Sequence, residues 1–323
     1  MMLDSRSGQN PPVKHHYIPV FYSKRWAAND GRLVVFSRPY KDVIDRWRHP
    51  DATGYQNSLY ALRGFEPSVA HQMEELFFRP IDTRAADALT EMEIRGNSAR
   101  WTSESRSAWT RFLLSLLTRC PDDIELFRKR YKGDLIRSNP YIEERYLAVR
   151  RDDDPPTFAD WLKLRPEAEV ERNMFQTFQV FIENEKMGSF INNLIWRVID
   201  TSAANFRLLA SDNPVIRTNG LQLPHGHMAL PLGPRLLFVA SRSHDFVDQL
   251  MQTPMRSVVM QCNRQVVRTA RRFVYASDLS QAAFIRAQFG QQPEKRMMEK
   301  MLDSYDKGGR AMFDDGFDYR PSL

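Results

Sequence analysis

Trp196-Arg197-Val198-Ile199-Asp200, Phe206-Arg207-Leu208-Leu209-Ala210, His227-Met228-Ala229-Leu230 and Arg235-Leu236-Leu237-Phe238-Val239 are four short apolar or alternating runs in close succession. Asn213-Pro214, Asn219-Gly220 and Gly233-Pro234 punctuate them. Short runs bounded by such dipeptides read as strands, and the turn chemistry favours antiparallel neighbours. A meander is therefore expected here. The same signal recurs near the other end of the chain. Asn29-Asp30-Gly31 is a turn, Arg32-Leu33-Val34-Val35-Phe36 follows as a strand, and Asp42 to Trp47 makes a second, weaker one.

Between these ends the rhythm is helical, from about Pro67 to Ile195. A helix is expected near Ser68 with a break or kink at Pro80, and another over Thr83 to Ile94. Thr102-Ser103-Glu104 opens a third, in which Trp109, Phe112, Leu113, Leu116 and Leu117 form one apolar stripe. Pro121-Asp122-Asp123 starts a fourth, Arg150 to Pro156 reads as an exposed loop, and Glu167 to Ile195 as one or two helices broken near Gly188. After the meander, His244 to Met251, Met255 to Arg272 and Leu279 to Gln288 return to helix. Strands at both ends around a helical middle imply an α+β fold: a small, mostly antiparallel sheet built from both ends of the chain, with residues 67–195 as a large helical insertion. Residues 1–13 read as a flexible lead, 14–306 as a single domain and 307–323 as a flexible tail.

The chain has 323 residues, 42% hydrophobic and 27% charged, which is ordinary globular composition. The first thirty residues lack an apolar core segment, so no secretory signal is expected. The densest apolar run, Phe112 to Leu117, is far short of the roughly 20 residues that span a bilayer. No membrane association and a cytoplasmic location are expected. Cys120 and Cys262 are the only cysteines, with no CxxC pair, which excludes a cysteine zinc site and suggests two inert thiols. The net charge of +6 is concentrated in one segment. Between Thr253 and Lys300, nine basic residues (Arg256, Arg264, Arg268, Arg271, Arg272, Arg286, Lys295, Arg296 and Lys300) face three acids, Asp278, Glu294 and Glu299. Such a surface can hold nucleic acid or an acidic protein, or can be a solvated helix face.

Three stretches carry a resemblance. The first is His15-His16-Tyr17-Ile18-Pro19 with Phe21-Tyr22 and Trp26; the second is Leu117-Thr118-Arg119-Cys120-Pro121. The third runs from Phe206 to Ser211-Asp212-Asn213-Pro214, with Leu230-Pro231-Leu232 and Asn263 to Tyr275 beyond it. Together they resemble a bacterial family catalogued only as domain of unknown function 4238, over roughly Lys14 to Asp278. Ser23 stands where that pattern usually has a leucine. The family has no established reaction, so the resemblance implies candidate positions and no mechanism.

His16 could be a general base or a metal ligand, or, like His15, a structural group before a helix. Asp212, at a strand end held by a stiff turn, could be an acid/base group or could bond its own backbone. Arg119 could bind a phosphate, pair with Asp212, or complement a helix C-terminus. Asn263 shares a helix face with Val259, Val266, Val267 and Ala270, so its amide must find a buried partner. Arg264, Arg268, Arg271 and Arg272 could track a phosphate backbone along another face of that helix. Glu74-Glu75 read as ordinary helical acids, and His225-Gly226-His227 lacks a third ligand. No GxGxxG, Walker loop, HExxH or GxSxG is present, and no cofactor or metal is expected. Two functions remain open. One is a binding protein engaging nucleic acid or an acidic partner through the basic helix face. The other is a hydrolase, such as a phosphodiesterase or nuclease, using His16, Asp212 and Arg119.

Overall fold

The computed structural model describes residues 13–137, 140–218 and 220–307. The expected lead and tail, apart from Val13 and Lys307, and Asn219 of the Asn219-Gly220 signal lie outside the described residues. The strands, in chain order, are β1 (Lys14–His16), β2 (Leu33–Ser37), β3 (Ile44–Arg48), β4 (Tyr55–Asn57), β5 (Ile195–Asp200), β6 (Ala210–Ser211), β7 (Ile216–Arg217), β8 (His227–Gly233), β9 (Leu236–Ser241) and β10 (Phe273–Ala276). They form three antiparallel sheets. β1 pairs with β4; a four-stranded sheet runs β3-β2-β10-β6; and a second runs β5-β9-β8-β7. The fold is α+β, and the β3-β2-β10-β6 sheet is built from both ends of the chain as expected.

Alternation explains why that sheet sits inside the protein. Along β2, Leu33 and Val35 face the largest apolar cluster, while Val34 and Phe36 face a second cluster containing Val266, Val267, Ile285 and Phe289. Both faces are covered, so the strand reads as a continuous apolar run. β10 repeats the pattern, Tyr275 on the first side and Val274 and Ala276 on the other. Each large apolar side chain buried here contributes about 1.5–3 kcal/mol. The helix Met255–Arg268 spans both sheets: Val258 and Val259 pack on Leu237 and Val239, and Val266 and Val267 lie under β2 and β10.

The helical middle begins where expected. At Thr102 a reciprocal cap forms, with the Ser105 N–H donating to Thr102 Oγ1 (3.1 Å) and the Thr102 N–H to Ser105 Oγ (2.9 Å). The helix Ser103–Leu116 follows, and Pro121–Arg137 after it. Among the described residues, no helix is long and apolar enough to cross a membrane.

Several local expectations are corrected. Pro80 does not end a helix: it lies in the first turn of Arg79–Arg95, which continues a widened π turn over Met73–Phe78. The wider turn accommodates a ring that cannot donate to, and would crowd, the carbonyl four residues back. The break expected near Gly188 falls at Glu183–Asn184, where Asn184 Oδ1 accepts the Met187 N–H and starts the helix Glu185–Asn192. Phe206–Leu209 is not a strand, because side chains capture its backbone groups: Trp26 Nε1 donates to Leu208 O (2.8 Å), and Leu209 N–H donates to Asn263 Oδ1 (2.9 Å). The helix from Met255 ends at Arg268, not Arg272, and four residues separate it from β10.

Candidate functional site

The sequence singles out His16, but β1 points His15 inward. His15 is fully buried, stacked on Tyr60 with ring centroids 5.5 Å apart. Its Nδ1 accepts the Tyr60 N–H (2.9 Å), which leaves the proton on Nε2, directed at His71 Nδ1 (2.9 Å). His16, one residue on and half-buried, turns the other way and donates from Nε2 to Asp51 O (3.3 Å). Burial holds its pKa below the usual histidine value, with the Asp51 carbonyl opposing. Gly54 lets the next residues close in: its carbonyl accepts both the Tyr17 and Ile18 N–H groups (2.9 and 3.0 Å). It adopts φ +66°, and a Cβ there would stand 2.9 Å from Ile18 Cβ.

Arg119 lies behind Tyr17. The Trp109–Leu117 stripe drives its helix into the core and carries the arginine with it, so that it is 0% exposed. Nε donates to Tyr17 O (3.1 Å), Nη1 to Asp82 Oδ1 (2.8 Å), and the Arg119 carbonyl accepts the Tyr60 hydroxyl (2.7 Å). Its guanidinium rests between the Phe78 and Phe112 rings, 5.7 Å from each centroid. Burial opposes the charge, but Asp82, Tyr60 and Glu74 together raise the guanidinium pKa and keep it protonated. Among the described residues its Nη2 has no hydrogen-bond partner, and neither has the buried Oε2 of Glu74 on the π turn. Burial, then the Asp82 charge, pushes the Glu74 carboxyl up to about 7. Sequence reasoning did not single out Asp82, and it read Glu74 as an ordinary helical acid. The available signal was that a buried arginine at a helix end demands a carboxylate.

The next residue reaches Asp212: Cys120 Sγ donates to Asp212 O (3.3 Å). Both carboxylate oxygens of Asp212 are taken by backbone, Oδ1 by the Arg271 N–H (3.0 Å) and Oδ2 by the Arg272 N–H (2.8 Å). Asp212 is 2% exposed, and burial raises its pKa against the Arg296 charge and these N–H groups. It clasps the start of β10 to the end of β6. The neighbouring acids are engaged too. Asp123 forms a buried pair with Arg296 (Nε to Oδ2, 2.6 Å), and Asp122 pairs with Arg271 and Arg272. Burial raises the Cys120 thiol to about 12, so it is inert at neutral pH.

Asn263 serves a different segment. Its Oδ1 accepts the Leu209 N–H, and its Nδ2 donates to Arg207 O (2.8 Å) and Gln281 Oε1 (2.9 Å). Every polar atom of this buried amide has a partner. The structure thus brings Tyr17, Arg119, Cys120 and Asp212 into one buried chain of contacts. His16 lies on its outer side, and Asn263 clamps the 207–209 segment leading into it. The expected row of four arginines is corrected: Arg264 and Arg268 lie on the helix, whereas Arg271 and Arg272 lie beyond its end and are paired with acids.

Residues 14–280 match the family model described as a protein of unknown function, DUF4238. The chain belongs to the DUF4238 family. No curated protein matches it. No solved structure matches it either. In this DUF4238 chain the three stretches that carried the resemblance meet at the junction just described. The first supplies Tyr17, the second Arg119 and Cys120, and the third Asp212 with the Arg271–Arg272 backbone.

Proposed function

We propose that this protein binds nucleic acid through the outer face of the helix Met255–Arg268. The supporting observation is a stripe of uncompensated cations. Of the basic residues between Thr253 and Lys300, Arg271, Arg272, Arg286, Lys295 and Arg296 each pair with a carboxylate. Arg256, Arg264 and Arg268 have no carboxylate partner among the described residues. They stand at intervals of eight and four residues along one helix, over about 18 Å of its length. Exposed Met260 completes the i, i+4 series, and Arg256 lies over the partly exposed Phe206 ring, 5.7 Å from its centroid. Arginines beside an open aromatic suit a phosphate backbone with an unstacked base. A cytoplasmic location belongs to this reading, supported by two free thiols.

Fluorescence anisotropy with labelled single-stranded and duplex oligonucleotides tests it. Three phosphate contacts give a slope of log K against log salt of about −2 to −3. Reversing Arg256, Arg264 and Arg268 to glutamate should abolish binding. If the wild-type protein binds no oligonucleotide but captures polyglutamate through the same residues, the partner is an acidic protein and the nucleic-acid proposal fails.

The hydrolase reading has less support. Arg119 is sealed in the core, out of reach of a substrate, and both oxygens of Asp212 are held by backbone N–H groups. Metal-dependent cleavage of nucleic acid that disappears in Asp212→Asn would reinstate it.

A further inference from the structure

A cleft of about 780 Å³ opens on the side of the molecule where the residues after Trp26 approach the turn between β8 and β9. That volume suits a small organic ligand. Its lining includes Arg25, Arg207, Arg235, Asp30 and Glu93. Three of these charges are neutralised locally: Arg25 clasps Glu93 through Nε and Nη2 (2.8 Å each), with its Nη1 on Phe21 O, and Asp30 pairs with Arg32 (2.7 Å).

The other two arginines are held differently. Arg235 uses only Nη1, which donates to Ala204 O (2.7 Å) and Phe206 O (3.1 Å). Arg207 also uses only Nη1, which meets Ser277 Oγ (3.0 Å) and Asp278 Oδ2 (3.1 Å). In both, Nε and Nη2 have no partner among the described residues. A guanidinium anchored through one nitrogen keeps its Nε–Nη2 edge for a bidentate acceptor, and little side-chain freedom is lost when the acceptor arrives. The segment carrying Arg207 is itself fixed. Asn263 and Gln281 Nε2 both hold the Arg207 carbonyl (2.8 Å each), Trp26 holds Leu208 O, and the Leu208 N–H donates to Pro234 O (2.9 Å). These bonds give Asn263 a role as a positioning residue for the cleft. Ala27, Ala28 and Leu236 add apolar surface to the same walls.

We infer that this cleft is a binding site for a small organic anion, one acidic group that presents two oxygens (a carboxylate or a phosphate monoester) on an apolar or ring body, gripped by Arg207 and Arg235. The site is separate from the helix stripe and does not depend on nucleic-acid binding.

Isothermal titration calorimetry on the full chain tests it, with two acids each beside a neutral counterpart: adenosine 5′-monophosphate against adenosine, and indole-3-acetate against indole-3-acetamide. At least one acid should bind about tenfold or more tighter than its neutral partner, and which one does so distinguishes phosphate from carboxylate. Arg235→Lys, which keeps the charge and loses the planar fork, should weaken that acid by about tenfold. Arg207→Gln should weaken it comparably; this side chain is 45% exposed, so the variant should fold. Asn263→Ser, which shortens the clamp, should weaken it through the position of Arg207, an effect absent when Arg207→Gln is already present. Arg264→Glu should leave it unchanged. The inference is overturned if neither acid gives saturable heat at millimolar concentration, if Arg235→Lys and Arg207→Gln both bind as the wild type does, or if Arg264→Glu weakens binding as much as they do.

Discussion

Arg119, in the junction behind β1, and Arg235, in the wall of the cleft, carry the same group into opposite situations. Arg119 is enclosed by Tyr17 O, Asp82 and two phenylalanine rings, and it joins the N-terminal segment to the helical middle of the chain. Arg235 is fixed through a single nitrogen, and its Nε and Nη2 have no partner among the described residues. The difference lies in how many donors the protein itself satisfies. A guanidinium enclosed in the core and paired there with a carboxylate is a fastener, and one anchored through a single nitrogen at a cleft wall is equipped for a ligand. Asp212 and Asn263 belong with the fasteners, because every polar atom of their side chains is held from within.

That contrast can be broken by measuring stability and binding separately. The largest effect should come from Arg119→Met, which leaves Asp82 without its partner; denaturant unfolding should show a loss of about 3 kcal/mol or more. If residues 14–306 form one domain, the whole unfolding transition should shift together. Asp212→Ala should follow with a loss of about 2–4 kcal/mol, because two part-buried N–H groups lose their charged acceptor.

Glu74 sharpens the comparison through pH. Its carboxyl ionises near 4.5 in the unfolded chain and at about 7 in the folded protein, so the folded state holds the proton longer and stability falls as pH rises across that window. Glu74→Gln should therefore stabilise the protein at pH 8, by about 1–3 kcal/mol, and change little at pH 4. Equal effects at both pH values would mean that the carboxyl does not titrate there. The smallest effect on stability should come from the open arginines: Arg207→Gln and Arg264→Glu should each stay within about 0.5 kcal/mol of the wild type by the same unfolding assay.

The sequence carried the parts of this picture that depend on neighbouring residues. Alternation and turn dipeptides located β2, β3, β5, β8 and β9, and Thr102 marked its helix start because the cap is formed by a residue three positions on. What escaped were features decided at long range. Phe206–Leu209 has strand character, but the Trp26 indole and the Asn263 amide take its backbone groups first. Arg271 and Arg272 continue a helical pattern on paper; in the fold Asp212, some 60 residues earlier, takes their N–H groups and β10 begins. The site shows the same limit. His16 and His15 are equivalent as letters, and only the pairing of β1 with β4 decides which of them faces Tyr60. Arg207 and Arg235 gave no signal, because a free guanidinium edge is visible only once the anchors on its other nitrogen are known.

Hydrogen exchange at the Arg271 and Arg272 amides tests most directly whether Asp212 fastens the chain. These two protons point at its carboxylate from a segment with no helix or strand bonds of its own. If the junction is a closed structural joint, both should exchange as slowly as the amides of β2 and β10, near the rate set by global unfolding. Exchange as fast as that of the exposed 150–154 loop would show an Asp212 open to solvent and free to act on a substrate, and would contradict this account.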